Sequence, residues 1–475
     1  MTDQGHGGAA QPVPAASLWR ALSQAIAGSE ADYTKISLNR AIFLLAIPMM
    51  LELLMESTFA VVDIYFVSQL GASAVATVGL TETYLYLLYS LAIGLATAVT
   101  AIVARRCGEG QREAAAVSAV QAILLGILVS LPFCVAGLFF SRELLALMGA
   151  DAWALSEGYR FTQWMLGGNV VIVLIFIINA VFRGAGDAAI AMRVLLIANG
   201  VNLVLDPLLI FGWGPVPAFG VEGAGIATTC GRAVGVAVQL WSLFHGGKHI
   251  RVMAAQCRLN IRSMINIAYT SLGGIGQMLV SMTSWIFLMR ILADVGSVAV
   301  AGATITARLF LFTLMPTWGL ANAVATLVGQ NLGAGQPERA EKVVWKIGYY
   351  NMAFLLGVSL LFFFCNEALI GIFTADPAVI AVGARWLRIL SYSYFVYGWW
   401  SVAVQAFNGA GDTRTPTYIN LVFFWLIQIP LSWWLALPRG WEEDGVFWGV
   451  FISETGVGLF TLWLFTRGGW KNAQV

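Results

Sequence analysis

Windows of about 20 predominantly apolar residues, the length that spans a bilayer as a helix, recur along the chain with short polar breaks. They fall near 40–68, 75–104, 114–140, 158–182, 188–212 and 219–244, then near 262–292, 298–329, 340–365, 381–408, 414–437 and 445–466. The pattern predicts an all-α polytopic membrane protein of twelve transmembrane helices. Its longest internal polar link, GGKHIRVMAAQCRLNI, separates the two sets of six. This divides the chain into an N-lobe at 37–245, a link at 246–261 and a C-lobe at 262–467. Residues 1–36 read as a mobile tail and 468–475 as a second tail.

The two lobes read as copies of one unit. Gly108-Glu-Gly110-Gln111 recurs as Gly333-Ala-Gly335-Gln336, and Gly184-Ala-Gly186-Asp187 as Gly409-Ala-Gly411-Asp412, both at an offset of 225 residues. Leu70-Gly71 against Val295-Gly296 and Gly220-Val221 against Gly445-Val446 keep that offset. A constant offset over so many residues is the signature of duplication. Six helices per copy make both copies enter the membrane from the same side, so an axis along the membrane normal relates them. Transporters built this way hold substrate between the lobes.

Composition sharpens the class. Of the 475 residues 59% are hydrophobic and only 11% charged, against about a quarter charged in soluble domains. The net charge of +1 makes no case for a nucleic-acid partner. The placement of charge carries more. With alternate loops assigned to one side, the side of both termini holds 18 of the 26 Lys and Arg, the other side five, and Arg232, Arg290 and Arg308 fall within spans. The positive-inside rule then puts both termini in the cytoplasm. The five cysteines form no CxxC pair and read as packing residues.

Several motifs resemble chemistry without supplying it. The Gly-x-Gly elements sit in short loops between membrane helices and follow no strand, so they read as helix caps and turns. His245 and His249 have ligand-like spacing but no carboxylate or cysteine nearby, and read as a solvated loop. No GxxxxGK[ST], HExxH or GxSxG occurs, which leaves an ion gradient as the energy source and no enzyme signature.

The acids inside the spans remain. Glu52, Glu56 and Asp63 lie on nearly one stripe of the first helix, one turn or more beyond Pro48, so a single face turns all three away from lipid. Asp206, with Asn202 one turn before it, lies in the fifth helix. Burial favours the neutral form of a carboxylate and a bound cation favours the charged form, so Asp63 and Asp206 are suited to exchanging a proton for a cation. Glu82 and Arg308 fall at nearly equivalent repeat positions and are candidates to line the cavity between the lobes, as an ion pair or as substrate contacts.

These residues resemble the multidrug and toxic compound extrusion (MATE) family, in particular its prokaryotic DinF-like branch. The similarity covers positions 37 to 467 and rests on AIPMMLEL, VVDIYFVSQLG, ARRCGEGQ, FRGAGD, NLVLDP, GVEGAGIAT, VGQNLGAGQ and FNGAGDTRTP. The resemblance implies an antiporter that exports organic, often cationic compounds against inward Na⁺ or H⁺, with no cofactor beyond that ion. By the same resemblance the ion site lies in the N-lobe at Asp63, Asn202, Asp206 and Thr228, with the Ala224 carbonyl as a fifth oxygen and Asn179 nearby, and Pro48 is a hinge. The expected setting is a prokaryotic cytoplasmic membrane, the expected state a monomer, and the expected partners small organic substrates and membrane lipid. Two departures stand out. Helices 7 and 10 carry no carboxylate in their membrane portions, so coupling is expected in the N-lobe alone, and Glu52 and Glu56 have no place in the branch pattern. Organic-acid export, favoured by Arg308, and lipid-linked flipping are the alternatives within the fold.

Overall fold

The computed structural model describes residues 22–29, 31–246 and 249–473. Among them the chain is helical apart from its loops and one isolated bridge between Trp213 and Val216, as expected where lipid cannot satisfy open backbone groups. The N-lobe comprises α1 (Leu38–Ser68), α2 (Ala72–Gly108), α3 (Arg112–Leu147), α4 (Ala154–Ala185), α5 (Ala188–Phe211) and α6 (Val221–Trp241). The C-lobe comprises α7 (Ile261–Val295), α8 (Ser297–Gly333), α9 (Pro337–Gly371), α10 (Pro377–Ser391 and Tyr394–Ala410), α11 (Arg414–Ala436) and α12 (Glu442–Thr466). Most helices outrun their apolar windows because polar end turns continue the backbone ladder past the bilayer. Among the described residues ten helices are long and apolar enough to cross a membrane. The other two are α6, diluted by Glu222, Arg232 and glycines, and α10, interrupted at Tyr392 and Ser393.

The repeat is visible in the backbone. Gly186 and Gly411 end α4 and α10 in the left-handed region at φ 96° and 95°, where only glycine sits without strain. Phe140 in α3 and Cys365 in α9, 225 residues apart, are matching non-helical kinks. The same relation builds the interface between the lobes. Gly94 of α2 packs on the backbone of Ile275 in α7, and Gly319 of α8 packs on that of Met50 in α1. Gly108 meets Gln330, and Gly333 meets Arg105. In each pair of contacts, adding 225 to one half gives the partner of the other, so the interface is self-complementary about a pseudo-twofold axis.

The lobes join toward the end that carries both chain termini. There Thr326 Oγ1 donates to Arg183 O at 3.1 Å, Gln330 Nε2 to Gly184 O at 2.9 Å, and Arg105 Nη2 to Ala473 O at 3.3 Å. Near mid-span Ser90 Oγ reaches Met282 Sδ at 3.0 Å. Beyond that point no hydrogen bond or ion pair crosses between the lobes among the described residues.

The N-terminal segment corrects one expectation. Residues 1–21 and 30 lie outside the described residues, but 31–36 and 22–29, expected to be mobile, are packed. Tyr33 and Ala25 are buried, Arg339 donates to the carbonyls of Tyr33 and Ile36, and His249 Nε2 lies 2.6 Å from Ser29 O while its ring stacks on Tyr33. His249 is therefore a bridging residue of the link. The terminal Trp470 is likewise buried, stacked on Phe465. Of the cysteines, Cys257 and Cys365 are exposed and do not serve as packing residues.

Candidate functional site

The site begins with the packing of α5 on α6. Gly223, Ala227, Gly231 and Gly235 recur every fourth residue and form a small-residue stripe that brings the two backbones together. Gly223 touches the backbone of Leu209, and Gly231 that of Ala198 beside Asn202. Thr228 on α6 is thereby set against Asn202 and Asp206 on α5. The Asn202 amide lies between them. With its nitrogen toward the carboxylate it donates to Asp206 Oδ1 at 2.8 Å and Oδ2 at 3.0 Å, while the other end of the amide is 3.3 Å from Thr228 Oγ1. Asp206, Asn202 and Thr228 are all buried.

Asp63 of α1 completes the cluster, its carboxyl in hydrogen-bonding contact with that of Asp206. Two facing carboxyl groups repel unless a proton or another cation lies between them. Asp63 Oδ1 is also buried without a hydrogen-bond partner, a polar atom left over for a ligand. Ala224 is fully buried one turn before Thr228. The donor set, two carboxylates with an amide and a hydroxyl, fits one small monovalent cation or a proton. No cluster of three or more acidic, His or Cys side chains suited to a heavier metal occurs among the described residues.

Glu52 and Glu56 belong elsewhere. Glu52 Oε1 accepts from Asn179 Nδ2 at 3.1 Å and pairs with Arg183 Nη1 at 3.3 Å. Asn179 Oδ1 in turn accepts from Gln239 Nε2 at 2.6 Å. Asn179, expected near the ion, is thus committed to Glu52. Glu56 Oε1 pairs with Arg232 Nη2 at 2.9 Å, and the Arg232 charge also acts on Asp63. The three acids of α1 do share the inward face, but Glu52 and Glu56 form ion pairs with arginines whereas Asp63 forms none among the described residues and faces Asp206. Sequence reading did not connect these arginines to their acids. Arg183 sits at the FRGAGD turn, where a charge reads as a loop residue, whereas Arg232, within a span, signals that a buried partner is needed.

Glu82 lies within electrostatic reach of Asp63, not of Arg308. Arg308 is exposed, and no ion pair joins the two among the described residues. Pro48 is buried within an uninterrupted α1. Its missing N–H leaves the Leu44 carbonyl without an intrahelical donor. The C-lobe is not free of membrane acids: Glu454 lies in α12, outside the helices in which a C-lobe acid was sought.

Comparison with known proteins agrees with this architecture. The MatE family pattern matches residues 48–208 and 271–434. A "FAD transporter" of Shewanella oneidensis is 26% identical over 397 residues, 83% of this chain and 87% of that protein. A "Probable multidrug resistance protein NorM" of Thermotoga maritima is 24% identical, covering 92% of this chain and 94% of the relative. A solved structure described as the outward-facing conformation of a multidrug resistance MATE family transporter superposes with a TM-score of 0.85 at 23% identity, over 95% of this chain and 98% of its own. With the family pattern covering most of both lobes and the twelve-helix duplicated fold around it, the chain belongs to the MatE family of multidrug and toxic compound extrusion transporters.

Proposed function

We propose that the protein is a secondary antiporter that exports small organic compounds in exchange for inward H⁺ or Na⁺, with the coupling ion held between Asp63 and Asp206. The observation that carries this reading is the division of charge inside the N-lobe. Glu52 and Glu56 are neutralised by Arg183 and Arg232, whereas Asp63 and Asp206 face each other and call for an exchangeable cation. With the cavity between the lobes open, the ion reaches Asp63. Neutralising the pair removes the repulsion between α1 and α5, α1 rearranges at Pro48, the cavity narrows and substrate leaves. The lobes then rock about their pseudo-twofold interface to expose the other side, where the ion departs and substrate binds again. One charge crossing about 100 mV supplies roughly 2.3 kcal/mol, and one pH unit about 1.4 kcal/mol. Together these sustain a gradient of a few hundred-fold, roughly, for a neutral substrate.

The deciding measurement is transport in proteoliposomes with Na⁺ and pH gradients imposed independently. The expected result is uptake or release of a cationic dye driven by one of the two gradients, lost in Asp63→Asn while the variant still purifies as a folded protein. Full gradient-driven transport by Asp63→Asn rejects the reading. A second reading, export of organic anions, is supported by exposed Arg308 in α8 and by the similarity to the FAD transporter of Shewanella oneidensis. Citrate and FAD, assayed beside the dye, distinguish the two.

A further inference from the structure

The segment before α1 and the link before α7 bear the same relation to the two lobes. Adding 225 to Tyr33 gives Arg258, and the backbone carbonyls at these two positions are both held by the third helix of the opposite lobe. Gln121 of α3 donates through Nε2 to Arg258 O at 2.8 Å and accepts through Oε1 from Asn260 N at 3.0 Å. Arg339 of α9 donates through Nη2 to Tyr33 O at 3.0 Å and also to Ile36 O. The link is joined covalently to both lobes. The segment before α1 is continuous with α1 and reaches the C-lobe by non-covalent contact.

Its seat on the N-lobe is broad. Gly28, in the left-handed region at φ 84°, lies against α5, where a Cβ would come 3.5 Å from Ala189 Cβ and from Arg193 Nη2. The Tyr33 ring covers the turn at Gly186, where a Cβ would fall 2.8 Å from Cε2. Toward the C-lobe the segment shares an apolar cluster with Val343 and Val344 of α9, and Arg339 is its one polar contact there among the described residues. Arg339 forms no ion pair among them, and its Nε is buried without a partner.

The other tail repeats the arrangement with the lobes exchanged. Residues after α12 stay with the C-lobe through Trp470 stacked on Phe465 and Lys471 Nζ at 2.6 Å from Glu341 Oε2. Arg105 of α2 reaches across to Ala473 O at 3.3 Å. Each lobe therefore holds the terminal segment of the other through one arginine on a neutral carbonyl.

Such contacts suit a joint that parts and closes again. Breaking the Glu52–Arg183 pair strands two buried charges. Arg105 and Arg339 are partly exposed, so water takes up each guanidinium and carbonyl on release and the net cost stays small. Beside them lie the seam contacts of Thr326 with Arg183 O and Gln330 with Gly184 O, which separate when the lobes rock. We propose that Arg339 and Arg105 are reciprocal catches that hold the terminal segments across the seam and set how often this end of the molecule opens. The proposal rests on the alternating-access reading for the opening itself and adds a control on it.

Thiol labelling with N-ethylmaleimide tests the catches in the purified full chain, without substrate or gradient. One reporter is Thr326→Cys, at a buried seam position, read by mass spectrometry against exposed Cys257. The other is Tyr86→Cys, at an exposed position one turn from Ser90 on the side away from the termini. Arg339→Met is expected to speed labelling at 326 about tenfold, equivalent to about 1.4 kcal/mol. It is expected to slow labelling at 86, because lobes that rock open at one end close at the other. Arg339→Lys should retain part of the hold, and Tyr33→Phe, which leaves the carbonyl in place, should change nothing. Arg105→Met should act in the same direction as Arg339→Met and serves if that variant does not fold. Unchanged labelling at 326 in both arginine variants overturns the catches. So does faster labelling at 326 and 86 together, which is general loosening. Faster labelling at 326 with slower labelling at 86, in a protein without gradient-driven transport, rejects the antiport reading and leaves the catches standing. Gradient-driven transport with unchanged labelling does the reverse.

Discussion

Among the membrane acids, what each residue does depends on its counter-charge. Glu52 and Arg183 are both largely buried, so removing one partner strands the other in a medium that cannot solvate it, at a cost of about 3–5 kcal/mol. Arg183→Met should therefore lower the thermal unfolding midpoint markedly, and the double variant Glu52→Gln/Arg183→Met should recover much of the loss. Asp63→Asn should show the opposite profile, with stability kept or raised and coupling lost, because it removes one of two repelling groups. Differential scanning fluorimetry beside transport separates the two behaviours. The acids were legible from their positions in apolar windows, but their partners were not. Arg183 lies 131 residues from Glu52, and Arg232 176 residues from Glu56. No local spacing rule spans such separations.

For the helices, the decisive features are the stripe on α6 and the proline in α1. A Cβ on Gly231 would fall 2.8 Å from Ala198 O and 3.1 Å from Asn202 Cβ, closer than packed atoms tolerate. Gly231→Ala is expected to push α5 from α6, draw Asn202 away from Thr228 and reduce ion-driven transport, with an overpacking cost of about 1–3 kcal/mol. Unchanged transport and melting would show that the stripe does not set the site. Pro48→Ala returns a donor to the Leu44 carbonyl and stiffens α1. Slower turnover with ion affinity retained is the expected outcome, and wild-type turnover would remove Pro48 from the mechanism. The sequence marked Pro48 because proline is unmistakable in an apolar window. It did not mark the stripe, since glycine and alanine every fourth residue gain meaning only when a second backbone is near.

The whole molecule is a duplicated unit closed on itself. Its lobes touch through equivalent contacts, Gly94 on Ile275 and Gly319 on Met50. Alternating access requires this contact to open. A Cβ on Gly319 would fall 2.5 Å from Met50 Cα, so Gly319→Ala should force the lobes apart at this contact and lower both the thermal unfolding midpoint and transport. Wild-type melting and transport by that variant would mean that this contact does not hold the lobes together. The docked segment around Tyr33 spans the same end of the molecule, held to α9 by Arg339 and to the link by His249.

By itself the sequence determined the number of helices and the duplication. These follow from apolar length and a constant 225-residue offset, properties that survive in one dimension. The tertiary structure alone decided which acids are neutralised and which are free. Arginines on α4 and α6 reach across to α1, while the glycine stripe brings α5 and α6 close enough for Asn202 to bridge Asp206 and Thr228. It also placed Glu454 of α12 within electrostatic reach of Tyr394 and Tyr397 of α10. A carboxylate's role inside a membrane is set by the few side chains that touch it, and those come from helices far apart along the chain.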